Sequence, residues 1–389
     1  MHNFADRFEG VTGSEIRKIF ALLSDPEIIS FAGGNPCPDY FPSEQLAAIS
    51  TELIQNDSRW VLQYGGTLGI PAFLDFLRKQ NKDIMQDTDD VIITSGSSQG
   101  IEMFTRTMLN AGDTMLVESP TFLGALQTFK LAEADIKTVN LLEDGVDLAE
   151  LEAKIKSDKP KFFYIIPTFQ NPSGITTNGD KRQAIYDVCK QYGVMILEDD
   201  PYAELRYEGQ PQPSIKSFDD CGLVCKLSSF SKTISPGLRV GYTIAHKDVI
   251  QKFNLLKQGQ DVHTSNLTQA MVYEFIKRGY YDKHVKMLCE RYKEQRDAML
   301  QMLAQHMPDG VHWTHPQGGL FIWVTLPESI YVPELFTQCV ECKVAFVPGS
   351  PFFADGGHTN TLRLNFSMPC VADIETGVAR LGQIIREYM

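Results

Sequence analysis

Five short apolar runs, each leading straight into a cluster of polar side chains, constrain this chain more than any other feature. They cover residues 91–94, 114–117, 162–166, 194–197 and 223–227, and amphipathic segments such as 101–109 and 181–192 lie between them. The runs are mostly apolar and continuous, with Thr94, Thr114 and Lys226 the polar exceptions, instead of alternating, so both faces of the sheet they form must be covered. Strands that interleave with helices in this way predict an α/β fold with a mostly parallel sheet flanked by helices. Such sheets bind ligands beyond the carboxyl ends of their strands. Here those ends carry Ser95-Gly96-Ser97-Ser98, Glu118-Ser119-Pro120-Thr121-Phe122, Gln170-Asn171-Pro172-Ser173-Gly174, Glu198-Asp199-Asp200-Pro201-Tyr202 and Ser228-Ser229-Phe230-Ser231-Lys232. Side chains on five strand ends would therefore surround one ligand.

The texture changes after residue 282. A long charged helix is expected over 283–302, then strands and glycines around Gly318-Gly319-Leu320-Phe321, and a final helix over 372–388. This reads as a smaller α+β domain. The expected division is a large α/β domain over 46–283 and a small domain formed by 1–45 together with 284–389. A chain of 389 residues is long enough for both.

The net charge of -13 argues against a nucleic-acid partner, since no basic run offsets it. No apolar stretch approaches the ~20 residues of a membrane span, and the polar start Met1-His2-Asn3-Phe4-Ala5-Asp6-Arg7 lacks the apolar core of a signal peptide. Eight scattered cysteines suit a reducing compartment, so the expected location is cytoplasmic. Cys339 and Cys342 have CxxC spacing but no second pair, and no histidines show metal-ligand spacing, so no metal site is expected.

The fifth strand end is the most chemically specific. Lys232 sits among Ser229, Ser231 and Thr233, and Arg239 follows a Pro-Gly turn. A lysine at a strand end is partly desolvated, which lowers its pKa from ~10.4 and favours the neutral amine that a Schiff base with an aldehyde needs. Hydroxyls and a guanidinium are the donors suited to a phosphate dianion. The pair of requirements, aldehyde and phosphate, points to pyridoxal 5'-phosphate (PLP). A dinucleotide site is the competing reading of the first strand end. Its glycines, however, are Gly96 and Gly100, a GxxxG spacing that lacks the middle glycine needed for a pyrophosphate. A helix start with serines still holds a single phosphate. No GxxxxGK[ST] loop occurs.

With these residues assembled, the chain resembles the PLP-dependent aminotransferases of class I, which have the aspartate aminotransferase-like (PLP-transferase type I) fold. It is most similar to the branch of aminoadipate, kynurenine and aromatic amino acid aminotransferases. The motifs that carry the resemblance are Asn171-Pro172-Ser173-Gly174, Asp199 with Tyr202, Ser229-Phe230-Ser231-Lys232 and Arg363-Leu364-Asn365-Phe366. It extends from about Ser14 to the C-terminus.

The resemblance implies that Lys232 carries PLP, that Asp199 pairs with the pyridine nitrogen, and that Asn171 and Tyr202 meet the ring oxygen. It implies stacking by Phe122, where many relatives have tyrosine, and a phosphate cup of Gly96, Ser97, Ser98, Ser229, Ser231 and Arg239. Taken singly, Asp199 also reads as a turn or cap residue, Asn171 as a turn residue and Phe122 as core. Arg363 lies with Asn365 on one face of an alternating strand, and the resemblance makes it the clamp on the substrate α-carboxylate, near Gly34. Arg17 belongs either to a segment covering the site or to a solvated helix face. Tyr64 would reach the phosphate of the neighbouring subunit in a homodimer. The implied activity is amino-group transfer between an amino acid and a 2-oxo acid, with 2-oxoglutarate as acceptor and ping-pong kinetics. The alternative on the same groups is β-elimination from cysteine conjugates. A non-catalytic PLP-binding regulator is disfavoured, because no basic helix precedes the first strand.

Overall fold

Alternate residues of the apolar runs go to opposite faces, which explains why the runs are continuous. In the computed structural model, which describes residues 4–8, 25 and 27–389, Phe162 and Tyr164 pack into one hydrophobic cluster. Phe163 and Ile165 pack into another on the far side of the sheet. Leu116 and Ile196 join the second cluster, while Met115, Val117 and Leu197 join the first.

The first nine strands are β1 (Ile29–Ser30), β2 (Asp89–Thr94), β3 (Thr114–Ser119), β4 (Asp135–Leu142), β5 (Gly145–Val146), β6 (Phe162–Ile165), β7 (Met195–Asp199), β8 (Val224–Ser229) and β9 (Gly241–His246). Eight of them form one sheet in the order β2-β9-β8-β7-β6-β3-β4-β5. The pairs β8–β7, β7–β6, β6–β3 and β3–β4 are parallel. Strand β9 runs antiparallel to both β2 and β8. All five expected strands are present, and their carboxyl ends lie along one edge. Because β9 runs the other way, its first residue, Gly241, pairs with both Thr94 and Ser229 at that same edge. Arg239, two residues earlier, is thereby delivered beside the strand ends.

Helices cover both faces. Ser97–Met108, Leu123–Leu131 and Lys247–Gln260 contribute Phe104, Phe129 and Phe253 to one cluster. On the other face, Leu148–Asp158 and Gly179–Tyr192 contribute Leu151, Ile155 and Ile185. The helix expected from residue 101 begins four residues earlier, at Ser97, so serines rather than apolar residues form its first turn.

The remaining strands are β10 (His312–Trp313), β11 (Phe321–Thr325), β12 (Val344–Ala345), β13 (Val347–Pro348) and β14 (Thr361–Asn365). They form an antiparallel sheet β10-β11-β14-β13, while β12 pairs in parallel with β1. That pairing ties the segment after Ile29 to the C-terminal region. Helices Tyr280–His306 and Val371–Tyr388 cover this sheet, sharing a core with Phe31, Leu320 and Phe346. No helix among the described residues is long and apolar enough to cross a membrane.

Candidate active site

A cavity of about 310 Å³ opens where the five strand ends meet the smaller sheet. Lys232 follows Ser231 in the turn after β8 and is half-buried there. Its Nζ donates to the Gly34 carbonyl at 2.7 Å. Burial, and then the nearby Arg363 and Arg239 charges, lower its pKa from 10.5 to about 8. A neutral amine is thus accessible near neutral pH, as nucleophilic attack on an aldehyde requires.

Asp199 ends β7 on the same cavity and is only 3 % exposed. Its Oδ2 accepts the Tyr164 hydroxyl at 2.8 Å, while buried Oδ1 has no partner among the described residues. Burial pushes this carboxyl up to about 7, against the Tyr164 hydrogen bond and the Lys226 charge, which lower it; Asp200 raises it further. A bare buried carboxylate oxygen beside a cavity calls for a ligand donor.

Arg363 projects from β14 and is 2 % exposed. Its Nη1 donates to Asn171 Oδ1 at 2.8 Å, and Nη2 donates to the Ala32 and Gly33 carbonyls at 3.1 and 3.3 Å. The guanidinium lies over Phe321 at 4.2 Å and near Phe352 at 5.1 Å. Buried Nε has no partner among the described residues, so a donor remains for an anion. Burial lowers the Arg363 pKa to about 10, with Tyr202 opposing. Asn365, next on that face, is instead tied to Ser367 Oγ at 3.0 Å and the Leu320 carbonyl at 3.3 Å.

Ser97 and Ser98 begin a helix whose N-terminal end faces the cavity, and Ser229, Ser231 and Arg239 border it too. Gly96 precedes that helix with φ of 78°, and a Cβ there would lie 2.4 Å from Arg239 Nη2. Glycine is therefore required for Arg239 Nη2 to reach the Ser95 carbonyl at 2.8 Å. Ser229 Oγ bonds both Ser231 Oγ at 2.9 Å and the Ser231 amide at 3.1 Å. Helix-start amides, serine hydroxyls and a guanidinium suit a phosphate. Phe122, Asn171, Tyr202 and Gly34 also line the cavity. Burial pushes the Tyr202 phenol up, with Arg363 and Asn171 opposing.

Two expected residues stand apart. Tyr64 is 79 % exposed, sits edge-on to His263 at 6.0 Å and does not line this cavity. Arg17 lies outside the described residues. Conversely, sequence reasoning missed a buried network behind the helix start. Lys257 Nζ, 0 % exposed, donates to Gln99 Oε1 at 2.6 Å and to Asp261 and Thr264 at 3.0 Å, and Gln99 Oε1 accepts the Ser95 amide at 2.8 Å. It also missed Tyr164, the Lys226–Asp200 pair at 2.6 Å, and the lining residues Asn35, Ile166, Pro201 and Pro236. Tyr164, Ile166 and Lys226 had a local signal as members of strand runs, and Asp200 and Pro201 as members of a strand-end cluster, but none was given a role in the site.

The fit to PLP rests on the donor set. One cavity offers a depressed lysine, an orphaned carboxylate oxygen, an anion cradle that any Cβ at Gly96 would disturb, and an orphaned guanidinium nitrogen.

The family described as aminotransferase class I and II matches residues 26–381. The chain is 40 % identical over 395 residues to aromatic-amino-acid aminotransferase 1 of Thermococcus litoralis, covering 99 % of this chain and 94 % of that protein. It superimposes on the crystal structure of Pyrococcus horikoshii kynurenine aminotransferase in complex with PMP with a TM-score of 0.95 (38 % identity, 99 % of this chain, 97 % of that one). The α-aminoadipate aminotransferase of Thermus thermophilus, complexed with N-(5'-phosphopyridoxyl)-L-leucine, gives a TM-score of 0.92 (36 % identity, 99 % and 97 %). This chain therefore belongs to the class I and II aminotransferases and is a PLP-dependent aminotransferase of the type I fold.

Proposed function

We propose that this aminotransferase takes its amino group from an L-amino acid with an aromatic or aminoadipate-like side chain. The acceptor is a 2-oxo acid, 2-oxoglutarate, in a ping-pong cycle of two half-reactions. The observation that carries the reading is that one cavity is lined by Lys232 and by two residues with polar atoms orphaned among the described residues, Asp199 Oδ1 and Arg363 Nε. The names of the relatives supply the substrate class: one is an aromatic-amino-acid and another an α-aminoadipate aminotransferase.

Bound PLP supplies an aldehyde for amines and a ring that draws electrons from the substrate Cα. The protein's own groups do the rest. Lys232 would hold the cofactor through Nζ, and its neutral amine would be the group that takes up and returns the proton at the substrate Cα. Asp199 Oδ1 would accept the ring N–H and favour the protonated nitrogen. Asn171 and Tyr202 would hold the ring oxygen, and Phe122 would pack against the ring. Gly96, Ser97, Ser98, Ser229, Ser231 and Arg239 would hold the phosphate. Arg363 grips the α-carboxylate beside Gly34, and Arg17 belongs to the substrate side. Tyr64 serves the neighbouring site of a homodimer, which accounts for an aromatic so exposed in a single chain. The domain division falls at 46–283 against 1–45 with 284–389, and the enzyme is cytoplasmic.

A half-reaction screen tests the substrate reading: the cofactor's visible absorbance is followed as each amino acid is added in turn. Aromatic amino acids and 2-aminoadipate should bleach it and yield the matching oxo acid, with 2-oxoglutarate restoring the colour. Pyruvate and a thiol released from cysteine conjugates, with no matching oxo acid, would favour β-elimination instead.

A further inference from the structure

Among the described residues, only one oxygen of the Asp199 carboxylate is held. The hydroxyl that holds it comes from Tyr164 on the neighbouring parallel strand β6 and meets Oδ2 at 2.8 Å. Tyr164 is fully buried, and its ring stands edge-on to Phe129 with centroids 5.4 Å apart. The phenol therefore cannot swing away without disturbing the core beneath the sheet. A carboxylate torsion is otherwise broad and roughly two-fold. With Oδ2 anchored, Oδ1 is the oxygen of this cavity-lining residue left without a partner among the described residues. The donor's identity is secure as well. Burial, Asp199, Glu118 and Tyr202 all raise the Tyr164 pKa, so its proton stays on the phenol.

We propose that Tyr164 is a positioning residue for transamination, whose hydroxyl fixes the Asp199 carboxylate so that Oδ1 is the oxygen presented to the cofactor's ring nitrogen. This rests on the reading of Asp199 as the partner of that nitrogen. The groups around Asp199 support it. Burial and Asp200 disfavour the carboxylate, and the Tyr164 hydroxyl and Lys226 favour it, so deleting one hydroxyl removes the direct hydrogen bond among the favourable influences.

The test is Tyr164→Phe, which keeps the ring and its packing, compared with Asp199→Asn and the parent enzyme. Each is loaded with PLP labelled with 15N in the ring, and nitrogen protonation in the resting enzyme is read by NMR across pH. Equilibrium dialysis gives the PLP dissociation constant, and half-reaction kinetics give kcat and KM. Tyr164→Phe should lower the midpoint of ring-nitrogen protonation and weaken PLP binding. It should also reduce kcat by about 10- to 100-fold, as loss of outer-shell orienting partners does, with the amino-acid KM little changed. If Tyr164→Phe keeps nitrogen protonation and kcat within about twofold of the parent while Asp199→Asn loses both, the positioning role is refuted and the Asp199 reading stands. A lowered thermal midpoint with unmoved nitrogen titration gives Tyr164 a structural role only and likewise overturns the proposal. If Asp199→Asn also keeps the nitrogen protonated, the Asp199 reading itself fails.

Discussion

Arg363→Lys should raise the amino-acid KM by about 10- to 150-fold while leaving kcat at saturation nearly intact. Arg363 keeps three bonds to protein, one to Asn171 and two to the backbone of Ala32 and Gly33, and still has Nε unpartnered among the described residues. Its plane rests on Phe321 at 4.2 Å, which fixes the fork's orientation. Lysine keeps the positive charge but offers one compact ammonium, which cannot hold Asn171 and present two parallel donors to a carboxylate. A hydrogen bond to a charged group contributes about 1.5–3 kcal/mol, and about 1.4 kcal/mol is a factor of ten, which gives the range stated. The lost contact is made equally in ground and transition states, so the penalty falls on KM. The assay is a titration of the PLP-loaded variant with the donor amino acid, following the cofactor's absorbance under single-turnover conditions. An apparent dissociation constant within twofold of the parent would mean that the carboxylate is held elsewhere.

Three further outcomes follow from separate parts of the molecule. Gly96→Ala places a methyl group 2.4 Å from Arg239 Nη2, so equilibrium dialysis should show PLP binding weakened by about tenfold or more, the loss of roughly one charge-assisted bond; unchanged binding would remove Arg239 from the phosphate cup. Covalent capture of PLP by the apoenzyme should accelerate with pH through about 8 and then level off, because Lys232 is reactive only when neutral and its pKa is lowered to about 8. A rate still climbing near the ordinary lysine value of ~10.4 would contradict the depressed pKa. Lys216→Met leaves Asp89 and Asp219 without their shared buried cation, now 2.9 and 2.7 Å away, and should cost about 3–5 kcal/mol, read as a large fall in thermal midpoint. The triad lies at the opposite end of the sheet from the cavity, so the PLP spectrum at 25 °C should be unaltered; an unchanged midpoint would refute the stabilising role.

What could be read in the sequence divides along a physical line. The five parallel strands were legible because burial on both faces makes each run mostly apolar without alternation, and the polar clusters after them mark the edge where side chains converge. Strand β9 was not singled out, since Gly241–His246 mixes glycine, tyrosine and histidine; its partners β2 and β8 make it a strand. Strand β4 was missed because one face is partly exposed and its pattern alternates irregularly. Asn171, Asp199 and Lys232 were brought together by the strand ends they follow, whereas Arg363, on β14 of the smaller sheet, was placed with them only by the resemblance. Contacts such as Lys257 with Gln99, and Tyr164 with Asp199, join residues on different elements and left no local signature. Tyr64 illustrates the opposite case, a residue with no distinguishing local context that only the resemblance singles out.

The central claim is that Lys232 is the amine that carries the cofactor. Borohydride reduction of the PLP-loaded enzyme, followed by peptide mapping, tests it most directly. A single pyridoxyl-bearing peptide should result, with the label on Lys232, and no label should appear in Lys232→Ala. A label on another lysine, or undiminished labelling of the variant, would contradict it.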